Sequence, residues 1–267
     1  MKPLIDQLIN ELAAMAPVQA VLLGGSRAAG LAEADSDYDL YVYGDPVPLA
    51  LRQGQLGPLF AQVEWDNRFW ETEDDGVLTD GSEVELIYRS FDFITAMVAA
   101  TVEQHQAWVG YTGCFWANLQ GSRILFDRQG QAAALQRRFA VPYPEALREA
   151  VVRKNFPLLR RALPAYRRQL AKALARQDGV SVNHRLAAWL ASYFDILFAV
   201  NRLPHPGEKR LQQHLAALPS QPAGAGEEVQ ALLALGHGDP ALLQRLDRLT
   251  EAMAVWLTGQ GLAHCLD

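Results

Sequence analysis

The chain has only two cysteines, Cys114 and Cys265, with no CxxC and no metal-ligand spacing around either. That supports neither a disulfide framework nor a zinc site, and it fits a reducing cytoplasm. No apolar run reaches the roughly 18 residues a membrane-spanning helix needs. The start, Met1-Lys2-Pro3-Leu4-Ile5-Asp6, lacks the uninterrupted apolar stretch of an export signal. The expectation is a cytoplasmic protein with no membrane partner. A positive excess is missing too: the net charge is −6, which argues against nonspecific nucleic-acid binding.

Half of the 267 residues are apolar, enough for two modest domains that each bury a core. The charge is uneven. Residues 1–100 carry 17 acidic and 5 basic side chains, residues 101–267 carry 13 and 19. Carboxylates that gather a cation, opposite Lys and Arg that meet an anionic ligand, fit this split.

Leu4, Ile5, Leu8, Ile9, Leu12 and Met15 recur at helical spacing up to Pro17. Apolar runs predict strands at 18–23, 38–43 and 84–88, with a further strand at 60–65. Helices are expected near 26–33, 49–56 and 91–106, and acidic 71–80 reads as a loop. After Pro142-Tyr143-Pro144 the strand signal stops. Helical patterns follow at about 145–176, 181–201, 208–218, 227–236 and 240–259, divided by Gly and Pro. The expected fold class is α+β: a small mixed sheet with helices in a domain at 1–140, then an all-α helical bundle at 141–267.

Chemistry concentrates near the first two strands. Gly24 and Gly25 let the backbone leave a strand sharply and approach a ligand without Cβ atoms. The Ser26 amide, at a helix start, can then meet an anion, with Arg27 beside it. Gly25 and Gly30 have the spacing of a Walker A loop, but Leu31-Ala32 replace its Lys and Ser/Thr; the dinucleotide fingerprint also fails. Asp37 and Asp39, two apart at a strand start, share one face and can converge on a metal. Glu85 is an odd residue for the middle of the apolar strand Val84-Glu85-Leu86-Ile87-Tyr88 unless a cation awaits it. Glu83 is its rival on the same face. Two Mg²⁺ ions there could hold the attacking and leaving oxygens of a phosphoryl displacement.

Gly24-Gly25-Ser26, a short helix, then Asp37-x-Asp39 resembles the signature of the polymerase-beta-like nucleotidyltransferase superfamily, over about residues 18–90. The helical half is similar in plan to that of the antibiotic nucleotidyltransferases. The resemblance implies that Gly25 and Ser26 hold the β and γ phosphates and that Asp37 and Asp39 bind Mg²⁺. Glu85 then completes the site as third ligand or as base. ATP or another NTP is the implied donor, and the acceptor a hydroxyl-bearing small molecule in preference to a protein or a nucleic acid. Lys209, after Leu203-Pro204-His205-Pro206-Gly207-Glu208, is a candidate for charge on the triphosphate. Glu71, Glu73, Asp74 and Asp75 could form an acidic pocket, and Trp108 to Asn118 is an aromatic-rich stretch that could stack a planar ligand. The rival function is a nucleotide-binding regulatory or antitoxin-like module without turnover.

Overall fold

The computed structural model describes residues 2–30, 33 and 36–266. Its contacts divide the chain into two compact units, Met1–Ala99 with Phe115–Val141, and Ala100–Cys114 with Pro142–Asp267. Among the described residues, no helix is long and apolar enough to cross a membrane.

Helix α1 (Pro3–Ala14) begins on Pro3, where a missing N–H goes unfelt, and places Asp6 against the positive end of the helix dipole. Its buried stripe Ile5, Leu8, Ile9 and Leu12 packs on β1 (Val18–Leu23). The chain continues through α2 (Gly25–Ala28), β2 (Tyr38–Gly44), α3 (Leu49–Leu56), β3 (Phe60–Asn67), β4 (Thr72–Leu78) and β5 (Glu83–Arg89). Next come α4 (Phe91–Val102), α5 (Cys114–Gly121), β6 (Arg123–Asp127) and α6 (Gln131–Phe139). The six strands lie in the order β3-β4-β5-β2-β1-β6. Among the described residues, β2 and β5 pair in parallel and the other pairs are antiparallel.

Side chains alternate along a strand, so the sheet has two different faces. Tyr38, Leu40 and Val42 of β2, with Val84 and Leu86 of β5, join the cluster under α1. Asp39 pairs with Glu85 in register, which turns both toward the opposite face.

Two expectations for this unit are corrected. The predicted helix at 26–33 is a single turn, α2, capped at Ala29; Leu31 and Ala32 lie outside the described residues. The acidic loop at 71–80 contains strand β4, despite the poor strand propensity of Asp and Glu. Pairing on both sides and a buried ion pair override propensity here. Asp74, fully buried, accepts hydrogen bonds from Arg52 Nη1 (2.5 Å) and Tyr88 Oη (2.9 Å), and Arg52 also reaches Asp66 at 2.8 Å. A carboxylate this deep is tolerated only with such partners. Beyond these, α5, β6 and α6 fill a stretch for which no element was expected.

The second unit holds α7 (Glu145–Leu159), α8 (Tyr166–Ala175), α9 (Gly179–Val200), α10 (Leu211–Ala217), α11 (Ala225–Leu233) and α12 (Ala241–Gly259). The pattern read as one helix over 145–176 is broken between Leu159 and Tyr166. Pro164 stands in the gap and cannot donate a backbone hydrogen bond. Asp178 caps α9 by accepting from the Ser181 amide at 3.0 Å. The core gathers Val152, Phe156, Trp189, Tyr193, Leu197, Leu246 and Met253.

A polar knot sits inside this core. Asp195, 1% exposed, accepts from the Thr112 amide (2.8 Å) and from Asn155 Nδ2 (3.1 Å), while Asn155 Oδ1 accepts from the Gly110 amide (3.0 Å). The aromatic-rich loop around Trp108 is thus pinned by backbone groups to α7 and α9. Burial pushes the Asp195 carboxyl up to about 7, against the pull of its Thr112 and Asn155 donors. The unfolded chain ionises this group near pH 4, so between about pH 4 and 7 the native state binds the extra proton, and stability falls as pH rises. The slope is at most about 1.4 kcal/mol per pH unit. The stability difference between wild type and Asp195→Asn, measured by urea unfolding, should shrink from pH 4 to 7; a constant difference would show that Asp195 stays ionised in the fold.

Candidate active site

β1 delivers the chain to Gly24, whose amide donates to the Asp39 carbonyl at 2.8 Å and so locks the turn to β2. A Cβ on Gly24 would sit 2.3 Å from Tyr41 Cε2. At Gly25 the backbone is left-handed, φ +57°, and a Cβ would lie 1.7 Å from Asp39 Oδ2. Both glycines are therefore demanded from within. Tyr41 and the Asp39 carboxylate occupy the space a side chain would need, in addition to any ligand the turn admits.

Asp37, Asp39 and Glu85 each offer a carboxylate oxygen, and the three oxygens lie within 4.8 Å of one another. Asp39 is 9% exposed; Asp37 and Glu85 are half-buried. Three like charges this close repel unless a cation or proton intervenes. An all-oxygen set of this kind suits a hard divalent ion such as Mg²⁺. Glu83 is exposed and stands outside the group, which leaves Glu85 as the β5 member.

Arg27 turns inward. Its Nε donates to the carbonyls of Ser36 and Asp37, each at 3.0 Å, and its guanidinium lies 3.9 Å from the Tyr38 ring centroid. Arg27 therefore fixes the backbone that carries Asp37. Ser26, half-buried, follows Gly25 in α2. Lys209 is exposed on the α9–α10 connection of the second unit.

Asp75 and Glu73 were expected in an acidic pocket, but their place beside Glu85 was not foreseen from sequence. Asp75 of β4 pairs in register with Glu85, which extends the row Asp39–Glu85–Asp75 across three strands. Asn67 Nδ2 donates to Asp75 Oδ2 at 2.8 Å, and Oδ1 is buried without a hydrogen-bond partner. Glu73, two residue pairs along on the same face, is raised by burial and by repulsion from Asp75 and Glu71. Behind the row, Arg89 grips Glu71 through two bonds (2.7 and 2.5 Å), donates to Asn118 at 3.1 Å and lies over the Tyr41 ring. Burial pushes Tyr41 up to about 12, with Arg89 opposing. Only strand pairing reveals these contacts. The expected acidic pocket is accordingly corrected: Asp74 faces away into the Arg52 pair and Glu71 is neutralised by Arg89, which leaves Glu73 and Asp75 toward the site. A cavity of about 460 Å³ occupies the other end of β2 and β5, around Val42–Pro48, Arg52 and Tyr88, and none of the three carboxylates lines it.

Two arginines of the helical half are engaged within their own unit. Arg160 pairs with Glu251 at 2.8 Å and Arg167 with Asp247 at 2.9 Å.

Residues 5–98 match the family described as nucleotidyltransferase domain, a span that includes the glycine turn and all three carboxylates. No curated protein matches the chain in sequence. Among solved structures, the chain is similar to a nucleotidyltransferase-like protein from Exiguobacterium sibiricum 255-15 (15% identity, TM-score 0.46, covering 97% of this chain and 76% of that one). It is also similar to a STING-associated CdnE c-di-GMP synthase from Capnocytophaga granulosa (11%, TM-score 0.32, 96% and 79%). A third is an aminoglycoside 6-adenyltransferase from Bacillus subtilis (9%, TM-score 0.30, 96% and 90%).

Proposed function

We propose, from the premise that residues 5–98 are a nucleotidyltransferase domain, that this chain transfers a nucleoside monophosphate, AMP from ATP, to a hydroxyl of a small-molecule acceptor and releases pyrophosphate. The observation that carries the reading is the meeting of Asp37, Asp39 and Glu85 within 4.8 Å beside the Gly24–Gly25 turn.

In the proposed reaction the acceptor oxygen attacks the α phosphorus, the bond to the bridging oxygen breaks, and pyrophosphate leaves with that electron pair. Asp37 and Asp39 would hold Mg²⁺, which would neutralise charge on the phosphate oxygens. Gly24, Gly25 and Ser26 leave room for the triphosphate tail and direct the Ser26 amide to it. Glu85 completes the ligand set or takes the acceptor's proton. Arg27 acts through the backbone it holds at Ser36 and Asp37, as a positioning residue. Most of the acceleration then comes from orientation and preorganised charge.

The test is a panel of labelled ATP, GTP, CTP and UTP with Mg²⁺, offered with hydroxyl-bearing small molecules and proteins, with pyrophosphate as the readout. The expected result is metal-dependent release with one donor and label on a small-molecule acceptor. Binding of ATP and Mg²⁺ by calorimetry with no release across the panel would favour the regulatory module instead.

A further inference from the structure

We infer that Glu149, His264 and Cys265 form a second cation site, selective for a zinc-class ion, that ties the chain's last residues to α7. One donor atom from each residue lies within 4.8 Å of the others, and all three belong to the second unit. Sequence spacing could not reveal the site. Glu149 comes from α7, whereas His264 and Cys265 are adjacent on the 3-10 turn Ala263–Cys265 that follows α12.

The donor set differs in kind from the carboxylate trio of the first unit. A thiolate, an imidazole and a carboxylate are the ligands zinc favours, and soft sulfur discriminates against Mg²⁺. The His264–Glu149 spacing also fits. His264 Nε2 lies 3.2 Å from Glu149 Oε1, and two donors about 2.0–2.1 Å from a tetrahedral ion would lie about 3.3 Å apart. An ion could therefore replace the shared proton with little movement of either group. A hydrogen-bonded ion pair explains that distance as well, but it gives no role to a sulfur that closes the third corner.

Access and support are both present. His264 has 51% of its side chain exposed, so an ion has a path from solvent, while Cys265 is 1% exposed and sits in the core cluster. Arg153 braces the frame: it donates to the His264 carbonyl at 3.0 Å and contacts Glu149 Oε2 at 3.2 Å. Arg148 donates to the Gln260 carbonyl at 3.1 Å, and Arg161 to that of Leu266. Three protein ligands leave a fourth position for water. With Arg153 on the other Glu149 oxygen, the arrangement is a clamp on the segment that follows α12.

Cobalt titration of the metal-free full chain tests this, because a thiolate bound to Co²⁺ gives a charge-transfer band that carboxylates cannot produce. The chain's only other cysteine is Cys114, so the band can be assigned by substitution. The expected result is one equivalent of Co²⁺ with that band, retained in Cys114→Ser, lost in Cys265→Ser, and formed with at least about tenfold weaker affinity in Glu149→Gln and His264→Ala. Because a change at buried Cys265 can itself perturb folding, the Glu149→Gln and His264→Ala variants provide the second readout: with Mg²⁺ in excess to occupy the Asp37–Asp39–Glu85 group, the rise in melting temperature given by Zn²⁺ should be smaller in these two than in wild type. Absence of the thiolate band at saturating Co²⁺, its loss in Cys114→Ser instead, or Co²⁺ affinity and Zn²⁺ stabilisation unaltered by Glu149→Gln and His264→Ala would overturn the proposal.

Discussion

Asp39→Asn should reduce nucleotidyl transfer by about a thousandfold while the protein stays folded. The substitution keeps the shape of the side chain, and the Gly24 amide bonds to the Asp39 backbone carbonyl, which the change does not touch. What it removes is one negative charge from a trio whose oxygens lie within 4.8 Å of one another. A thousandfold loss corresponds to about 4 kcal/mol of transition-state stabilisation, of the order of removing one preorganised electrostatic contact. Stability should move the other way. Without metal, Asp37, Asp39 and Glu85 repel, so metal-free Asp39→Asn should melt no lower than wild type, and added Mg²⁺ should stabilise it less. Full turnover in Asp39→Asn would remove Asp39 from the chemistry.

Gly25→Ala is the second large effect, and it acts on the same carboxylate by a different route. The new methyl would have to share space with Asp39 Oδ2, 1.7 Å away, in a backbone already at φ +57°. The left-handed conformation alone disfavours alanine by about 1 kcal/mol, and the overlap forces the carboxylate or the turn to move. Transfer should fall about as far as in Asp39→Asn. Gly30→Ala supplies the control. Gly30 has φ +71°, but a methyl added there would meet nothing within 4 Å among the described residues, so this variant should lose about 1 kcal/mol of stability by urea unfolding and keep its turnover. Equal activity losses in the two variants would mean that backbone strain, rather than displacement of Asp39, causes the defect.

The glycine turn and its acids were readable because their signals are local. An apolar run, two glycines, an Asp-x-Asp and another apolar run can be arranged in few ways, and Glu85 stood out as a charge inside an apolar strand. The reason for the glycines was only half legible. Space for a ligand is a sequence-level expectation, but the Tyr41 ring against Gly24 and the Asp39 carboxylate against Gly25 emerge only once β1 and β2 pair. Strand β4 was hidden for the same reason in reverse. Its acids look solvated along the chain, and only Arg52, 22 residues earlier, explains why Asp74 can be buried. Register likewise brings Asp75 to Glu85, and tertiary packing brings Glu149 to the His264–Cys265 pair.

Transfer by the proposed route requires Asp37, Asp39 and Glu85 to share a divalent cation. Anomalous scattering from crystals grown with Mn²⁺ and a non-hydrolysable ATP analogue measures this directly. The predicted result is a manganese peak about 2.0–2.2 Å from carboxylate oxygens of Asp37 and Asp39, with the triphosphate beside Gly25 and Ser26. Nucleotide and manganese bound elsewhere, with no peak among these three carboxylates, would contradict it.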